Sequence, residues 1–204
     1  MATYHVIIDV MVGSTDNTEG SLTKEQKSIL IGVLLGDGAM RKKTHALLEI
    51  NHSFKQKEYV DWLYQKFQNF VGTKPKMRKS NGTRIAYRFT TKSIPVLTTF
   101  YDKFFKQKHK IIPDDLILTP LTLAVWYMDD GSRCDEDIYL NSQQFTKEEQ
   151  EKLVGMLYTQ YAIQASLNKD KQYLRIRVRK ESVKRMMNMI TSYVIPTMRY
   201  KLLL

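Results

Sequence analysis

Two stretches decide how this chain folds: Leu30-Ile31-Gly32-Val33-Leu34-Leu35-Gly36-Asp37-Gly38 and Leu123-Ala124-Val125-Trp126-Tyr127-Met128-Asp129-Asp130-Gly131. Each opens on an apolar run with almost no polar face, so each reads as a helix enclosed on all sides. Each also has a start signal. Thr23-Lys24-Glu25-Gln26 is a capping box, and Thr119-Pro120 is a cap followed by proline at the first helical position. Both runs stop at an acid followed by glycine, and the two acids, Asp37 and Asp130, stand 93 residues apart. Cap, buried helix and acidic stop, used twice, mark an internal duplication. Gly32 and Gly36 form a flat stripe for close backbone approach, and Ala124 offers a smaller version on the second helix. Packing the two helices together would bring Asp37 and Asp130 side by side.

Working outward, the flanks repeat as well. Leu47–Phe54 parallels Ile138–Phe145, and each leads into an amphipathic helix, over Lys57–Phe70 and Lys147–Tyr161. Hairpins follow: Lys74–Lys79 and Thr83–Thr90 flank Ser80-Asn81-Gly82, while Ile163–Asn168 and Tyr173–Lys180 flank Lys169–Gln172. Closing helices are expected over Ser93–Gln107 and Glu181–Ser192. The fold class is therefore α+β, with two pseudo-symmetric αββαββα halves spanning residues 21–116 and 117–204, each contributing an antiparallel sheet to a saddle. The boundary falls near Pro113–Leu118. Met1–Gly20 reads as an extension outside the core, with a short strand in Tyr4–Val12.

The chain has 204 residues and a formal charge of +11. Residues 1–20 hold three carboxylates and no Lys or Arg, so the remainder carries +14. That balance points to a polyanionic partner, nucleic acid ahead of an anionic membrane surface. A hydrophobic content of 43% excludes a disordered basic tail. The apolar runs fall far short of the roughly 20 residues of a membrane span. A single cysteine, Cys134, excludes an internal disulfide and a multi-thiolate zinc site. With no signal-peptide pattern at the N-terminus, the expectation is a soluble protein of a reducing, intracellular compartment. Abundant Lys, Ile, Tyr and Asn suit an AT-rich organellar or bacterial genome.

A carboxylate at a helix C-terminus faces the negative end of the macrodipole, at a cost of roughly 0.3–1 kcal/mol. Two copies of that misfit point to a compensating cation at both, and hard oxygen ligands suit Mg²⁺ or Ca²⁺. The plainer alternative, a polar helix stop, would suffice for one Asp-Gly alone. The hairpins supply a surface. In Tyr173–Arg179 apolar residues alternate with Arg175, Arg177 and Arg179, and the first half sets Arg84 and Arg88 outward beside Lys74, Lys76 and Arg78. From Trp62 to Tyr101 there are eight Lys or Arg and no carboxylate. Such ribbons fit the major groove, where Arg can grip guanine in a bidentate pair. Glu49, Asn51, Tyr139, Asn141 and Gln143 face outward too, as base readers or as surface decoration. The four histidines (His5, His45, His52, His109) lack metal-ligand spacing, and Cys134 has no evident activating partner.

The two motifs, together with Lys110–Pro113, Leu118–Pro120, Asn141–Phe145 and Ile195–Leu202, resemble the LAGLIDADG homing endonucleases over about residues 22–204. The match is to the single-chain, two-motif branch of that family. The resemblance implies that Asp37 and Asp130 bind divalent metal, with Gly36 and Asp129 as the preceding positions of the metal site and Asp129 without a catalytic assignment. It implies that Lys110 and Lys201 lie near the scissile phosphates and that Gln143 and His52 order attacking water. In the first half that last role stays open, since aligning Phe54 with Phe145 selects His52 whereas strand alternation selects Asn51. The implied metal is Mg²⁺, with Mn²⁺ as a substitute and Ca²⁺ as an ion that binds without supporting cleavage. The implied activity is double-strand cleavage of a long asymmetric DNA site by a monomer, leaving 3′ overhangs. An intron RNA maturase and a non-cleaving DNA-binding protein are the alternatives on the same scaffold.

Overall fold

Local capping starts both motif helices where the sequence places them. In the computed structural model, which describes residues 21–79 and 85–202, helix α1 runs Lys24–Leu35. The Thr23 hydroxyl accepts the Gln26 N–H at 3.1 Å, and the Gln26 side chain accepts the Thr23 N–H at 3.0 Å. After α1 come β1 (Ala39–Lys42), β2 (Ala46–Ser53), α2 (Lys57–Phe67), β3 (Lys76–Lys79), β4 (Ile85–Thr90) and α3 (Pro95–Phe104). A small hairpin, β5 (Phe105–Lys106) and β6 (His109–Lys110), leads to the second motif helix, α4 (Pro120–Asp130). Then follow β7 (Gly131–Cys134), β8 (Asp137–Leu140), α5 (Lys147–Tyr161), β9 (Ala165–Asp170), β10 (Tyr173–Val178) and α6 (Lys180–Ile190). The α4 cap matches that of α1, with the Thr119 hydroxyl accepting the Thr122 N–H at 3.0 Å.

The two antiparallel sheets have the same topology, β1-β2-β4-β3 and β7-β8-β10-β9, which is the duplication in three dimensions. Alternation fixes their faces. Along β2, Leu48, Ile50 and His52 are buried while Asn51 is exposed. Helices α2 and α3 cover the buried face of the first sheet, and α5 and α6 pack on the second. The α+β architecture expected from the repeats is the one observed.

Between the sheets, α1 packs along α4, the arrangement that the glycine stripe allows. A Cβ added at Gly32 would lie 2.6 Å from the Val125 Cβ and 2.7 Å from the Thr122 carbonyl oxygen. The close approach therefore falls on Val125 and Thr122, the residue after the expected Ala124 and the one two before it. The Thr122 hydroxyl also donates to the Ser28 carbonyl at 3.1 Å, tying the helices where their backbones meet.

Three boundaries differ from the sequence reading. The helix expected over Ser93–Gln107 ends at Phe104, and the chain turns through Gln107 and Lys108, both at positive φ (49° and 69°). Phe105 leaves the helix to stack on Tyr101 at 4.8 Å, and the Ile111 N–H closes onto the Phe104 carbonyl at 2.8 Å. The helices expected to reach Phe70 and Ser192 tighten into 3-10 turns after Phe67 and Ile190. The strand expected in Tyr4–Val12, the turn Ser80-Asn81-Gly82 and Arg84 lie outside the described residues. Among the described residues no helix is long and apolar enough to cross a membrane.

Candidate active site

Parallel packing of α1 and α4 delivers both motif acids to one end of the seam. Asp37 follows the Gly36 cap, and Asp130 is the last residue of α4. Asp37 opens to solvent, yet protein crowds its other sides. That desolvation raises its carboxyl above the ordinary range, and repulsion from Asp129 adds to the effect. Burial pushes Asp130 further, to about 7, with Asp37 and Asp129 repelling it and the Asn141 side chain hydrogen-bonded to it. Asp130 thus feels the charge of Asp37 across the seam, and the two acids share one neighbourhood.

Each helix end also holds a lysine. Lys110, delivered by the β5–β6 hairpin, donates to the Gly36 carbonyl at 2.7 Å. Lys201 donates to the Met128 carbonyl at 2.6 Å. The Tyr127 hydroxyl holds that segment by donating to the Lys201 carbonyl at 2.6 Å. These ammonium groups sit where the macrodipole favours cations. Part of the compensation that the sequence assigns to a metal is therefore supplied by the chain itself. Burial lowers Lys110 to about 8, against the attraction of Asp129, Asp37 and Asp130, and lowers Lys201 in the same way.

The other expected residues divide. Gln143 is half-buried, but it is its neighbour Gln144 that reaches α1, donating to the Leu35 carbonyl at 2.7 Å. Nothing in the motif Asn141–Phe145 distinguishes the two glutamines except which one the turn aims inward. Strand alternation puts Asn51 on the open face of β2 and His52 behind it. The His52 ring is buried, with Nε2 3.0 Å from Asp129 Oδ1. Burial disfavours a charge there, but the neighbouring Asp129 outweighs it and lifts the imidazole above its ordinary value. Asp129, which the sequence left without a catalytic assignment, is fully buried and accepts the Asp37 backbone N–H at 2.5 Å.

On the sheets, Lys74, Lys76, Arg78 and Arg179 are exposed. Glu49 is clasped by Arg41 at 2.5 Å and Arg88 at 3.6 Å. Arg175 lies 3.9 Å above the Tyr139 ring, covering it, and Arg177 pairs with Asp137 at 2.7 Å. Asn141, expected as a base reader or as surface decoration, is hydrogen-bonded to Asp130 through its side chain.

Among the described residues no three His, Cys, Asp or Glu side chains converge into a complete metal site. The donors that do converge, two carboxylates that burial raises and of which Asp37 also repels Asp130, suit a hard divalent cation with open positions for outside oxygens. The Gly36 carbonyl is already engaged by Lys110 and by Gln144 at 3.3 Å.

Comparison with known proteins gives a consistent picture. A family model described as the LAGLIDADG DNA endonuclease family matches residues 27–186. A probable intron-encoded endonuclease of Wickerhamomyces canadensis is 31% identical, over 90% of this chain and 86% of its own length. The cytochrome b mRNA maturase bI2 of Debaryomyces hansenii is 29% identical, over 96% of this chain and 81% of its own. Among solved structures, the homing endonuclease I-WcaI bound to its DNA recognition sequence superposes with a TM-score of 0.85 at 30% identity, covering 90% of this chain and 88% of that one. The resemblance read from the motifs thus holds at the level of the family, among intron-encoded endonucleases and maturases.

Proposed function

We propose that this chain, which belongs to the LAGLIDADG DNA endonuclease family, is a monomeric site-specific endonuclease that cuts both strands of a long asymmetric DNA target. One observation carries the reading: two motif acids meet at one end of the α1–α4 seam with a lysine at each helix end. Because one chain supplies both acids, a second copy is not required.

In this reading the open faces of the two sheets grip the major groove, with Lys74, Lys76, Arg78, Arg88 and Arg179 holding phosphates or base edges. Asn51 stands among them on the first sheet. The seam then lies over the minor groove, with Asp37 and Asp130 each beside one scissile phosphate. Both carboxylates would hold Mg²⁺ or Mn²⁺, and a bound divalent cation makes water nucleophilic and polarises the phosphoryl oxygens. Lys110 and Lys201 stabilise the charge that grows on those oxygens. Lys110, lowered to about 8, also carries a proton it can give up near neutral pH. Gln143 and Gln144 line the approach from the second half and orient water there. The halves differ at nearly every outward position, so the target they read is asymmetric.

Selection of cleavable sites from a random duplex library, sequenced at both cut positions, tests this. The expected product is one long asymmetric site with staggered 3′ overhangs; absence of any cut with Mg²⁺ or Mn²⁺ would overturn it. A maturase role is the second reading, favoured by the 29% identity to an mRNA maturase. It predicts that intron RNA outcompetes duplex DNA and that the protein accelerates splicing.

A further inference from the structure

The two motif helices treat the seam differently. At the position before the terminal acid, α4 carries Asp129 and α1 carries Gly36. A Cβ on Gly36 would fall 2.2 Å from Asp129 Oδ2, so this side chain occupies space that the duplicated position leaves open. The carboxylate crosses the seam and lies among groups of the first half, the Tyr59 side chain hydrogen-bonded to it among them. Its Oδ2 accepts the Asp37 backbone N–H at 2.5 Å, and its Oδ1 stands 3.0 Å from His52 Nε2. His52 is fixed in turn by an edge contact with the Tyr59 ring at 5.3 Å. The support of Asp130 comes from its own half, through the Asn141 side chain and the Asn141 N–H on its carbonyl at 3.1 Å.

We propose that Asp129 and His52 are positioning residues for Asp37, with Asp129 reaching Asp130 through its charge and no contact, so that the two strands of a bound duplex are cut by unequally supported carboxylates. The inference rests on the endonuclease reading above. Asp37 lies beyond the last helical turn. The Gly36 N–H bonds back to the Gly32 carbonyl at 3.1 Å, but the N–H of Asp37 turns outward and is held by Asp129. Removing that acceptor leaves a part-buried donor unpaired and frees the Gly36–Asp37 peptide to re-aim the carboxylate. A displacement of about 1 Å in a reacting constellation can cost about a hundredfold in rate. Asp130 keeps its hydrogen-bond partners and loses only the repulsion of Asp129, a change that Asp129→Ala and Asp129→Asn share, so the positional loss should fall on one strand.

The test uses the full chain, Mg²⁺ and a supercoiled plasmid bearing one selected site, with each strand end-labelled. Asp129→Ala and His52→Ala should each slow the same strand by about tenfold or more relative to the other, so that nicked circle accumulates. Duplex binding in EDTA should stay close to wild type, which separates mispositioning from loss of the fold. Asp129→Asn, which keeps an acceptor for the Asp37 N–H, should move the strand ratio back towards balance relative to Asp129→Ala. Equal slowing of both strands, or bias towards opposite strands in the two alanine variants, would overturn the proposal and leave the pair as core packing. Should Asp129→Ala not fold, the strand ratio of His52→Ala decides. A wild-type protein that cuts neither strand would sink the endonuclease reading instead.

Discussion

At Asp130 the folded chain holds a carboxyl that burial and two neighbouring acids push up to about 7. In the unfolded chain the same group titrates near 3.9. Between those values the folded state binds more protons than the unfolded one, so stability of the metal-free protein should fall as pH rises from about 4 to about 7. Each step of one pKa unit is worth about 1.4 kcal/mol, which sets a ceiling of a few kcal/mol. His52, also lifted, adds a slope of the same sign above about pH 6.5, where its unfolded form begins to lose its proton. Melting curves in EDTA should show the decline in wild type and a shallower one in Asp130→Asn, and Mg²⁺ at about pH 7.5 should raise the wild-type Tm more than that of the variant. Superimposable profiles would mean that Asp130 is solvated like any surface acid. Asp37 and Asp130 were legible because their pattern occurs twice. Asp129 was not, because its role depends on an empty Cβ position 93 residues away at Gly36. Only packing reveals such a pairing.

Helices and hairpins carry the next level. Caps and periodicity gave α5 its ends at Lys147 and Tyr161, because the Thr146 cap and the amphipathic run are local. The β5–β6 hairpin escaped because the pattern of α3 continues into it and its turn uses Gln107 and Lys108 where glycine or asparagine is usual. One substitution type separates two glycine roles. Gly32→Ala drives a methyl into Val125 and the Thr122 carbonyl, and should destabilise the chain by about 1–3 kcal/mol. Gly155→Ala sits within α5 with nothing inside 4 Å, and should stabilise it by about 0.5–1 kcal/mol. Urea unfolding of both variants gives the comparison. Equal effects would deny that α1 and α4 touch along that stripe.

Over the whole molecule, repeat symmetry and charge were both readable from the sequence, and both describe the surface that faces DNA in the proposed function. Which basic residues are available was not readable, because it depends on partners brought in by the fold. Arg177 is tied to Asp137, whereas among the described residues no carboxylate lies within ion-pair distance of Lys76. Lys76→Ala should therefore weaken binding to all duplexes alike and lower the slope of log affinity against log salt by about one. An unchanged slope would take β3 off the phosphate backbone. In the proposed function, strands are cut at the shared end of the α1–α4 seam. The most direct measurement compares wild type with Asp130→Asn on a selected site, recording duplex binding in EDTA and cleavage of each strand with Mg²⁺. The variant is predicted to bind as wild type does and to leave the duplex uncut, whereas cleavage of both strands at the wild-type rate would contradict the account.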